Sequence, residues 1–375
     1  MARITLVSRN FPPLSGGMER LCYQLYLGLA EKHNVDLLGP GGCDEFALAA
    51  GEVRATRVSP TPVFLCLTLL KGIWLRISRG RTDLVIGGSG LVGIIVVLLA
   101  KLSGARSVLL LHGLDIIAKS NIYQSVFVPF IRMADVAVCN SNNTALLASE
   151  HGVPVERIVV INPGVELPAT VPSRQAAKQQ LGIGTERILL SVGRLMPRKG
   201  LAEFIDSTMP ALIARDPGWV LLVAGGEPAN ALNRPKESVL DSIHAAIERH
   251  DLEDQVRLLG HADDDQLANL YAAADVFVFP LVATRGDVEG FGMVAIEAAA
   301  FGTPTVAFEC GGVGDAVVDG VNGALVNAGD YGGFAQAIER VAAADLRQSA
   351  AEFAQEFSWS NYNRQFDDCL DKVLG

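Results

Sequence analysis

The chain lacks the features that identify several classes of protein. Its six cysteines form no CxxC pair and no His–Cys cluster with ligand spacing, which argues against a zinc site and a disulfide framework. No secretory signal is recognisable, and the longest apolar run, Leu91 to Ala100, has ten residues, about half of the roughly 20 that a spanning helix requires. We therefore expect no transmembrane helix and a reducing, cytoplasmic environment.

Positive charge is also scarce, since the formal net charge is -10. This balance argues against nucleic acid as a partner. The charge is unevenly distributed: residues 1–165 hold 15 Lys+Arg and 11 Asp+Glu, whereas the remainder holds 16 and 30. The first part is mildly basic and the second is strongly acidic.

Short apolar runs alternate with helical segments along the 375 residues, a length that favours two domains. The first series of predicted strands is Ile4–Ser8, Asn34–Leu38, Leu84–Ile86, Val108–Leu111, Val136–Cys139 and Ile158–Ile161. After the turn-rich linker NPGVELPATVPS, the second series is Ile188–Val192, Val220–Ala224, Val256–Leu259, Val276–Phe279 and Thr305–Phe308.

This alternation predicts an α/β protein with two Rossmann-like domains. We place the first domain at 1–165 and the second at 166–355, with a final helix in 356–375 that packs back on the first. Runs apolar on both faces indicate parallel sheets covered by helices. Ligands are then expected beyond the carboxyl ends of the strands, in a cleft between two facing sheets.

The segment EGFGMVAIE, Glu289 to Glu297, carries the most chemistry. Gly290 and Gly292 let the backbone approach a ligand, and a helix is predicted to begin near Gly292 and to end at Gly302. The free N–H groups of that helix start could bind a diphosphate, and Glu297 could accept a hydrogen bond from a sugar or ribose hydroxyl. An ExxxxxxxE spacing alone is more often two solvated acids.

Other segments carry candidate ligand-binding groups. SVGRLMPRKG places Arg194 and Lys199 five residues apart, where the two cations could neutralise a leaving diphosphate. FPPLSGGMER contains Gly16 and Gly17, whose backbone could close on phosphate or acceptor, and LLLHGLD places His112 at the end of a buried strand. Alone, these patterns indicate two solvated cations, a turn and a structural histidine. CNSNNT is more typical of a helix N-cap than of a ligand site.

Together and in this order, these segments resemble the signature of the GT4 group of retaining glycosyltransferases (glycosyl transferases group 1), which have the GT-B fold. The resemblance extends from Ile4 to Trp359. The sequence departs from it at Gly314 and Asp315, where many relatives have Pro and Glu, and at Phe301, where a small residue is common. These departures weaken any transfer of donor preference from one relative.

The resemblance implies transfer of a hexosyl unit from a nucleotide-diphosphate sugar to a hydroxyl group, with retention at the anomeric carbon. The acceptor hydroxyl would attack on the face that the diphosphate leaves, and a phosphate oxygen would take its proton. Glu289 would orient sugar hydroxyls, Glu297 would bind the ribose, and His112 would contact the sugar. The predicted catalytic residues are His112, Glu289, Arg194 and Lys199. The predicted donor-binding residues are Gly16, Gly17, Arg194, Lys199, Glu289, Gly290, Phe291, Gly292, Met293, Val294 and Glu297.

No cofactor and no metal is expected. HADDDQ superficially suggests metal ligands, but it follows a strand and begins a helix, so Asp263 is better interpreted as an N-cap. UDP-sugars and GDP-mannose both stay open as donors. Three other functions also stay open: an epimerase or phosphorylase on the same scaffold, a nucleotide-dependent oxidoreductase, and a non-catalytic sugar-nucleotide binder. The absence of GxGxxG after the first strand counts against the oxidoreductase.

The acceptor is expected to be a lipid-linked sugar or a growing glycan or polysaccharide. The stretch Val63 to Arg81, VFLCLTLLKGIWLRISRGR, is apolar with a basic end. One interpretation is docking on an anionic membrane surface, which would place the protein peripherally on the inner face of the cytoplasmic membrane. The other is a core helix with a solvated basic end.

Overall fold

The structure is a computed structural model and describes residues 1–48, 51–227, 238–284 and 286–375. The chain forms two compact units. The first unit comprises Met1–Gly164 together with Trp359–Gly375, and the second unit comprises Val165–Ser358. Each unit contains one parallel sheet of its own.

The first unit is built on seven parallel strands in the order β3-β2-β1-β4-β5-β6-β7. They are β1 (Arg3–Val7), β2 (Asn34–Pro40), β3 (Val53–Thr56), β4 (Leu84–Gly87), β5 (Arg106–Leu111), β6 (Val136–Cys139) and β7 (Ile158–Val160). The connecting helices are α1 (Gly17–Lys32), α2 (Thr61–Arg79), α3 (Gly93–Ser103), α4 (Leu114–Ile117), α5 (Val128–Met133) and α6 (Asn142–Glu150). β4 is buried along its whole length, as expected for a central strand covered on both faces.

The second unit has six parallel strands in the order β10-β9-β8-β11-β12-β13. They are β8 (Arg187–Val192), β9 (Trp219–Ala224), β10 (Val256–Gly260), β11 (Val276–Phe279), β12 (Thr305–Phe308) and β13 (Gly323–Val326). Its helices are α7 (Arg174–Gln180), α8 (Leu201–Ser207), α9 (Met209–Arg215), α10 (Val239–Arg249), α11 (Asp264–Ala273), α12 (Met293–Ala300), α13 (Tyr331–Ala343) and α14 (Arg347–Ala354). Two apolar clusters fill the space between sheet and helices.

The last helix, α15 (Trp359–Leu374), belongs to the first unit and packs on α1. Its buried side chains include Trp359, Tyr362 and Phe366. The aromatic ring of Trp359 covers Gly164, where a Cβ atom would overlap the indole. The chain therefore leaves the first unit after β7 and returns to it at the end.

Two edge strands, β3 and β13, were not predicted from the sequence. β3 is only four residues long and contains Arg54, so it lacks a continuous apolar run. β13 is the four-residue segment GALV, which follows a turn and begins with glycine. Both strands pair on one side only, and β3 carries less buried surface than the central strands.

Two predicted N-caps are present. Asp263 accepts a 2.8 Å hydrogen bond from the backbone N–H of Gln266, whose side chain accepts one from the Asp263 N–H in return. This reciprocal pair starts α11. Ser141 accepts a 3.1 Å bond from the Thr144 N–H at the start of α6.

Within the described residues, α2 is the one helix long and apolar enough to cross a membrane by length and composition. From the sequence we expected no transmembrane helix, because only apolar runs without a charged residue were considered, and Lys71 interrupts the apolar run of α2. α2 connects β3 to β4 of one parallel sheet and buries Phe64 and Leu75 on that side. It is therefore built into the α/β unit.

Candidate functional site

The loop after β8 is fixed by its backbone at the carboxyl edge of the second sheet. Gly193 donates its N–H to the Ala224 carbonyl at 2.9 Å, and a single 3₁₀ turn follows at Pro197–Lys199. Gly200 then begins α8 with φ 63°, and a Cβ at this position would overlap the Pro280 carbonyl oxygen. The positive φ and the close approach both require glycine here. The loop after β8 is thus held directly against the loop after β11.

This packing brings Lys199 and Glu289 together across 90 residues of sequence. The Lys199 ammonium Nζ lies 2.9 Å from Glu289 Oε2 and 4.4 Å from the centroid of the Phe279 ring. The two charged side chains are only 17% and 14% exposed. Because little water reaches them, their mutual attraction is stronger than that of a surface pair.

Arg198 and Asp287 join this pair, and neither was predicted from the sequence. Arg198 Nη1 lies 3.3 Å from Glu289 Oε2, and its Nε lies 3.3 Å from Asp287 Oδ1. Within the described residues, both nitrogens are buried without a hydrogen bond of good geometry. Arg198 directly precedes Lys199 in the sequence RKG, and this position beside a predicted site residue is the signal that could have indicated it. The Arg198 guanidinium therefore lies between the two carboxylates and helps to position Glu289.

Positive charge is in excess at this cluster. Burial acts to raise the pKa of the Glu289 carboxyl, but Lys199, Arg198 and Arg194 outweigh it and hold that pKa below its usual range. Burial lowers the pKa of the Lys199 ammonium; Glu289 opposes this effect, and the two arginines add to it. The three cations Arg194, Arg198 and Lys199 outnumber the carboxylates of Asp287 and Glu289, so the cluster attracts an anion. Arg194 itself is exposed at the start of the loop.

The start of α12 adds backbone donors beside Glu289. Gly292 caps this helix with φ 100°, which places the N–H groups of Met293 and Val294 at the helix start. The backbone of Glu289 is fixed, since its carbonyl accepts a 2.9 Å bond from the Gly312 N–H. Helix starts favour anions through their free N–H groups. The acid and the helix start therefore form one rigid loop, in which Gly290 connects Glu289 to the buried Phe291 ring.

Glu297 lies one turn into α12 and is held by an aromatic pair. The Tyr271 hydroxyl donates to Glu297 Oε2 at 3.1 Å. The Tyr271 ring stacks on Phe301, with centroids 5.6 Å apart and an interplanar angle of 18°. The unusual phenylalanine at 301 thus has a structural role, because it fixes the ring whose hydroxyl orients Glu297.

His112 lies in the first unit, directly after β5, and is 9% exposed. Its Nε2 lies 2.9 Å from the Gly88 carbonyl oxygen, and since a carbonyl only accepts, Nε2 is the donor. A neutral ring then has its acceptor nitrogen at Nδ1. Asp115 was not predicted: it accepts from the N–H groups of His112 and Gly90, at 2.9 and 2.8 Å. This carboxylate joins the loops that follow β4 and β5.

Gly16 and Gly17 lie at the start of α1, also in the first unit. Gly16 is the N-cap and Gly17 is the first helical residue. The Glu19 carboxylate accepts a 2.7 Å hydrogen bond from the Asn10 side-chain amide and so connects the helix to the preceding loop. A helix start at the carboxyl edge of β1 is compatible with an anionic ligand.

Within the described residues, no group of three or more His, Cys, Asp or Glu side chains is placed to hold a metal ion. The expectation of a metal-free reaction stays a prediction. The arrangement in the second unit, with three cations, a helix start and two oriented glutamates, is suited to a ligand that combines a diphosphate with hydroxyl groups.

Comparisons with known families match both units. The family described as Glycosyltransferase Family 4 matches residues 15–168, and the one described as Glycosyl transferases group 1 matches residues 173–357. The D-inositol 3-phosphate glycosyltransferase of Mycolicibacterium smegmatis is 37% identical over 234 residues, which cover 61% of this chain and 50% of that protein. The Saccharomonospora viridis protein of the same name is 38% identical over 250 residues, which cover 64% and 55%. The chain spans about half the length of these curated relatives.

Solved structures agree in fold. Anabaena HepE in complex with UDP-glucose has a TM-score of 0.79 at 21% identity, over 99% of this chain and 100% of that one. Sucrose-phosphate synthase from Thermosynechococcus elongatus has a TM-score of 0.78 at 24% identity, over 100% and 99%. The predicted family and α/β fold class are confirmed. The chain belongs to the group 1, or GT4, family of glycosyltransferases, and its two parallel sheets have the GT-B fold.

Proposed function

We propose that the protein is a retaining glycosyltransferase that moves a hexosyl unit from a nucleotide-diphosphate sugar to a hydroxyl acceptor. The observation that carries this proposal is the cluster of Arg198, Lys199 and Glu289 beside the start of α12. Its surplus positive charge fits a diphosphate, and its buried carboxylate fits the hydroxyl groups of a sugar. A protein that bound only a simple anion would have no need for two oriented glutamates.

In the proposed reaction the bond between the anomeric carbon and the diphosphate breaks as the acceptor oxygen attacks the same face. The acceptor proton passes to a phosphate oxygen, and the diphosphate leaves with the electron pair of the broken bond. Arg194, Lys199 and the N–H groups at the start of α12 stabilise the charge that develops on the leaving group. Glu289 orients the sugar hydroxyls, Glu297 binds the ribose, and His112 contacts the sugar.

Several choices of donor and acceptor follow from the relatives. HepE has been solved with UDP-glucose, so UDP-sugars are the first donors to test, with GDP-mannose as the second. The curated relatives are named for transfer to D-inositol 3-phosphate, which makes a small phosphorylated polyol one acceptor to test. A lipid-linked sugar and a growing polysaccharide are the others.

Thermal-shift screening against UDP, GDP, ADP and their sugars identifies the donor, because a ligand that binds only the folded state raises Tm. Labelled donor is then offered to each acceptor class, with and without EDTA. We expect transfer that persists in EDTA and is lost in Glu289→Gln. Donor binding without transfer or hydrolysis for every acceptor would favour a non-catalytic binder, and conversion of the sugar without transfer would favour an epimerase.

Arg194→Gln and Arg340→Gln form a matched pair for this test. Both remove an exposed arginine from the second unit, but Arg340 lies on α13 and pairs with Asp319. Weaker donor binding in Arg194→Gln alone supports the assignment. Equal donor binding in both variants and in the unmodified protein would contradict it.

A further inference from the structure

α2 exposes a stripe of large apolar side chains along its whole length. The stripe consists of Val63, Leu67, Leu70, Trp74 and Ile77, which are between 42% and 77% exposed. Their spacing of three or four residues puts them on one side of the helix. The opposite side, with Phe64, Thr68, Gly72 and Leu75, is buried against the first unit. The helix is therefore apolar on both sides, and only one side is covered.

The chain around the stripe carries an excess of positive charge. Between Val53 and Thr82 there are six Lys and Arg residues and no Asp or Glu, although the whole protein carries a net charge of -10. Two of the six, Arg54 and Arg79, are paired with the carboxylates of Glu52 and Asp36. Arg57 and Arg81 are exposed at the two ends of α2. The Arg54 guanidinium lies over the Trp74 ring, 4.4 Å from its centroid. Cations at both ends of an exposed apolar face complement a surface that is apolar inside and anionic outside.

The position of α2 on the sheet determines how the helix would contact such a surface. Since α2 connects β3 to β4 and is packed on the sheet along its inner side, it can only lie flat on the partner. A tryptophan in the stripe is typical of the boundary between lipid headgroups and acyl chains. The first residues of α2 also follow the carboxyl end of β3, the edge at which His112 follows β5.

We propose that the α2 stripe docks the first unit on an anionic phospholipid bilayer. The five apolar side chains enter the boundary region of the bilayer, and Arg57 and Arg81 contact anionic headgroups. A second copy of this chain is a poorer partner, because a symmetric pairing of stripe on stripe would bring Arg57 and Arg81 of both copies together. Docking is independent of donor chemistry, so it can succeed or fail without affecting the proposed transferase function.

The test is co-sedimentation of the full chain with vesicles of phosphatidylcholine alone or mixed with phosphatidylglycerol. We expect binding to the mixed vesicles that weakens as salt is raised. The double variant Leu70→Gln/Ile77→Gln should lower the partition constant by about tenfold or more, because it removes two of the five apolar contacts. Arg57→Gln/Arg81→Gln should weaken binding to mixed vesicles only.

Leu146→Gln is the matched control. Leu146 is 58% exposed, close to the 62% of Leu70, but it lies on α6 beside β7, at the opposite edge of the same sheet. Trp74 supplies a second signal, since Trp219 and Trp359 are buried and α2 carries the exposed indole. Its emission should shift to shorter wavelength on mixed vesicles, and the shift should be absent in Trp74→Phe.

Three results would overturn the proposal. The first is no binding to vesicles that contain phosphatidylglycerol. The second is an equal loss of binding in Leu146→Gln and in the stripe variant. The third is a dimer in light scattering that the stripe variant abolishes, without vesicle binding by the unmodified protein. Circular dichroism and thermal unfolding confirm that each variant is folded before its binding is compared.

Discussion

Replacing Lys199 with methionine tests the ion pair at the centre of the proposed donor site. Methionine retains an unbranched apolar side chain beside Phe279 but removes the charge and the 2.9 Å bond to Glu289. Breaking a buried ion pair by removing one partner costs about 3–5 kcal/mol. Here Arg198 stays 3.3 Å from the same carboxylate oxygen, so we expect a smaller loss of about 1–3 kcal/mol.

The same substitution should weaken binding of a nucleoside diphosphate. A hydrogen bond to a charged group contributes about 1.5–3 kcal/mol, so Kd should rise about 10- to 150-fold in Lys199→Met. Glu289→Gln should act in the opposite direction. It removes a carboxylate that competes with the diphosphate for Lys199, so the bare nucleotide should bind as tightly as before or more tightly, while sugar transfer falls.

A double-mutant cycle joins the two variants. Stability is measured by denaturant unfolding followed by circular dichroism, and nucleotide binding is measured by calorimetry. We expect a favourable coupling between Lys199 and Glu289 of about 1–3 kcal/mol in stability. A coupling near zero, together with an unchanged nucleotide Kd in Lys199→Met, would refute the assignment of this pair to the donor site.

Three further predictions concern the same unit. Burial lowers the pKa of Lys199 in the protein without ligand, and a bound diphosphate would raise that pKa. Nucleotide affinity should therefore fall as the pH rises towards the pKa of Lys199, and binding in that pH range should take up a proton. Calorimetry in buffers of different ionisation enthalpy measures this proton uptake, and its absence would contradict the prediction. Gly200→Ala should lose at least about 1 kcal/mol because of its positive φ and the neighbouring carbonyl, whereas Gly314→Ala, which has open space around it, should be near neutral in denaturant unfolding. Tyr271→Phe should raise the donor KM, because it removes the 3.1 Å hydrogen bond from the Tyr271 hydroxyl to Glu297 Oε2; an unchanged KM would show that the hydroxyl has no role in positioning.

Much of the fold was predictable because the central strands are short and mostly apolar runs. β8, β9 and β11 follow the pattern of a parallel sheet buried on both faces, and each was found within about a residue of its bounds. The edge strands β3 and β13 were missed because a strand that pairs with only one neighbour does not require a continuous apolar run. α2 was difficult for a related reason, since its two apolar sides look alike in sequence and only packing shows which one is covered.

The candidate site was predictable as far as its residues belong to recurring motifs. Lys199 and Glu289 are 90 residues apart, and only the family resemblance connected them before the structure showed their contact. Arg198, Asp287 and Tyr271 were missed because they act through neighbouring side chains and not through a spacing that a motif describes. Such residues become visible only when the distances between loops are known.

In the proposed donor site, Arg194, Lys199 and the start of α12 hold the diphosphate. The decisive measurement is calorimetric titration of UDP and GDP into the unmodified protein and into Arg194→Gln. We predict that one of the two nucleotides binds and that the variant weakens its binding by about tenfold, the lower end expected for an exposed cation. Equal binding to the unmodified protein and to Arg194→Gln, or no binding of either nucleotide, would contradict this assignment of the donor site.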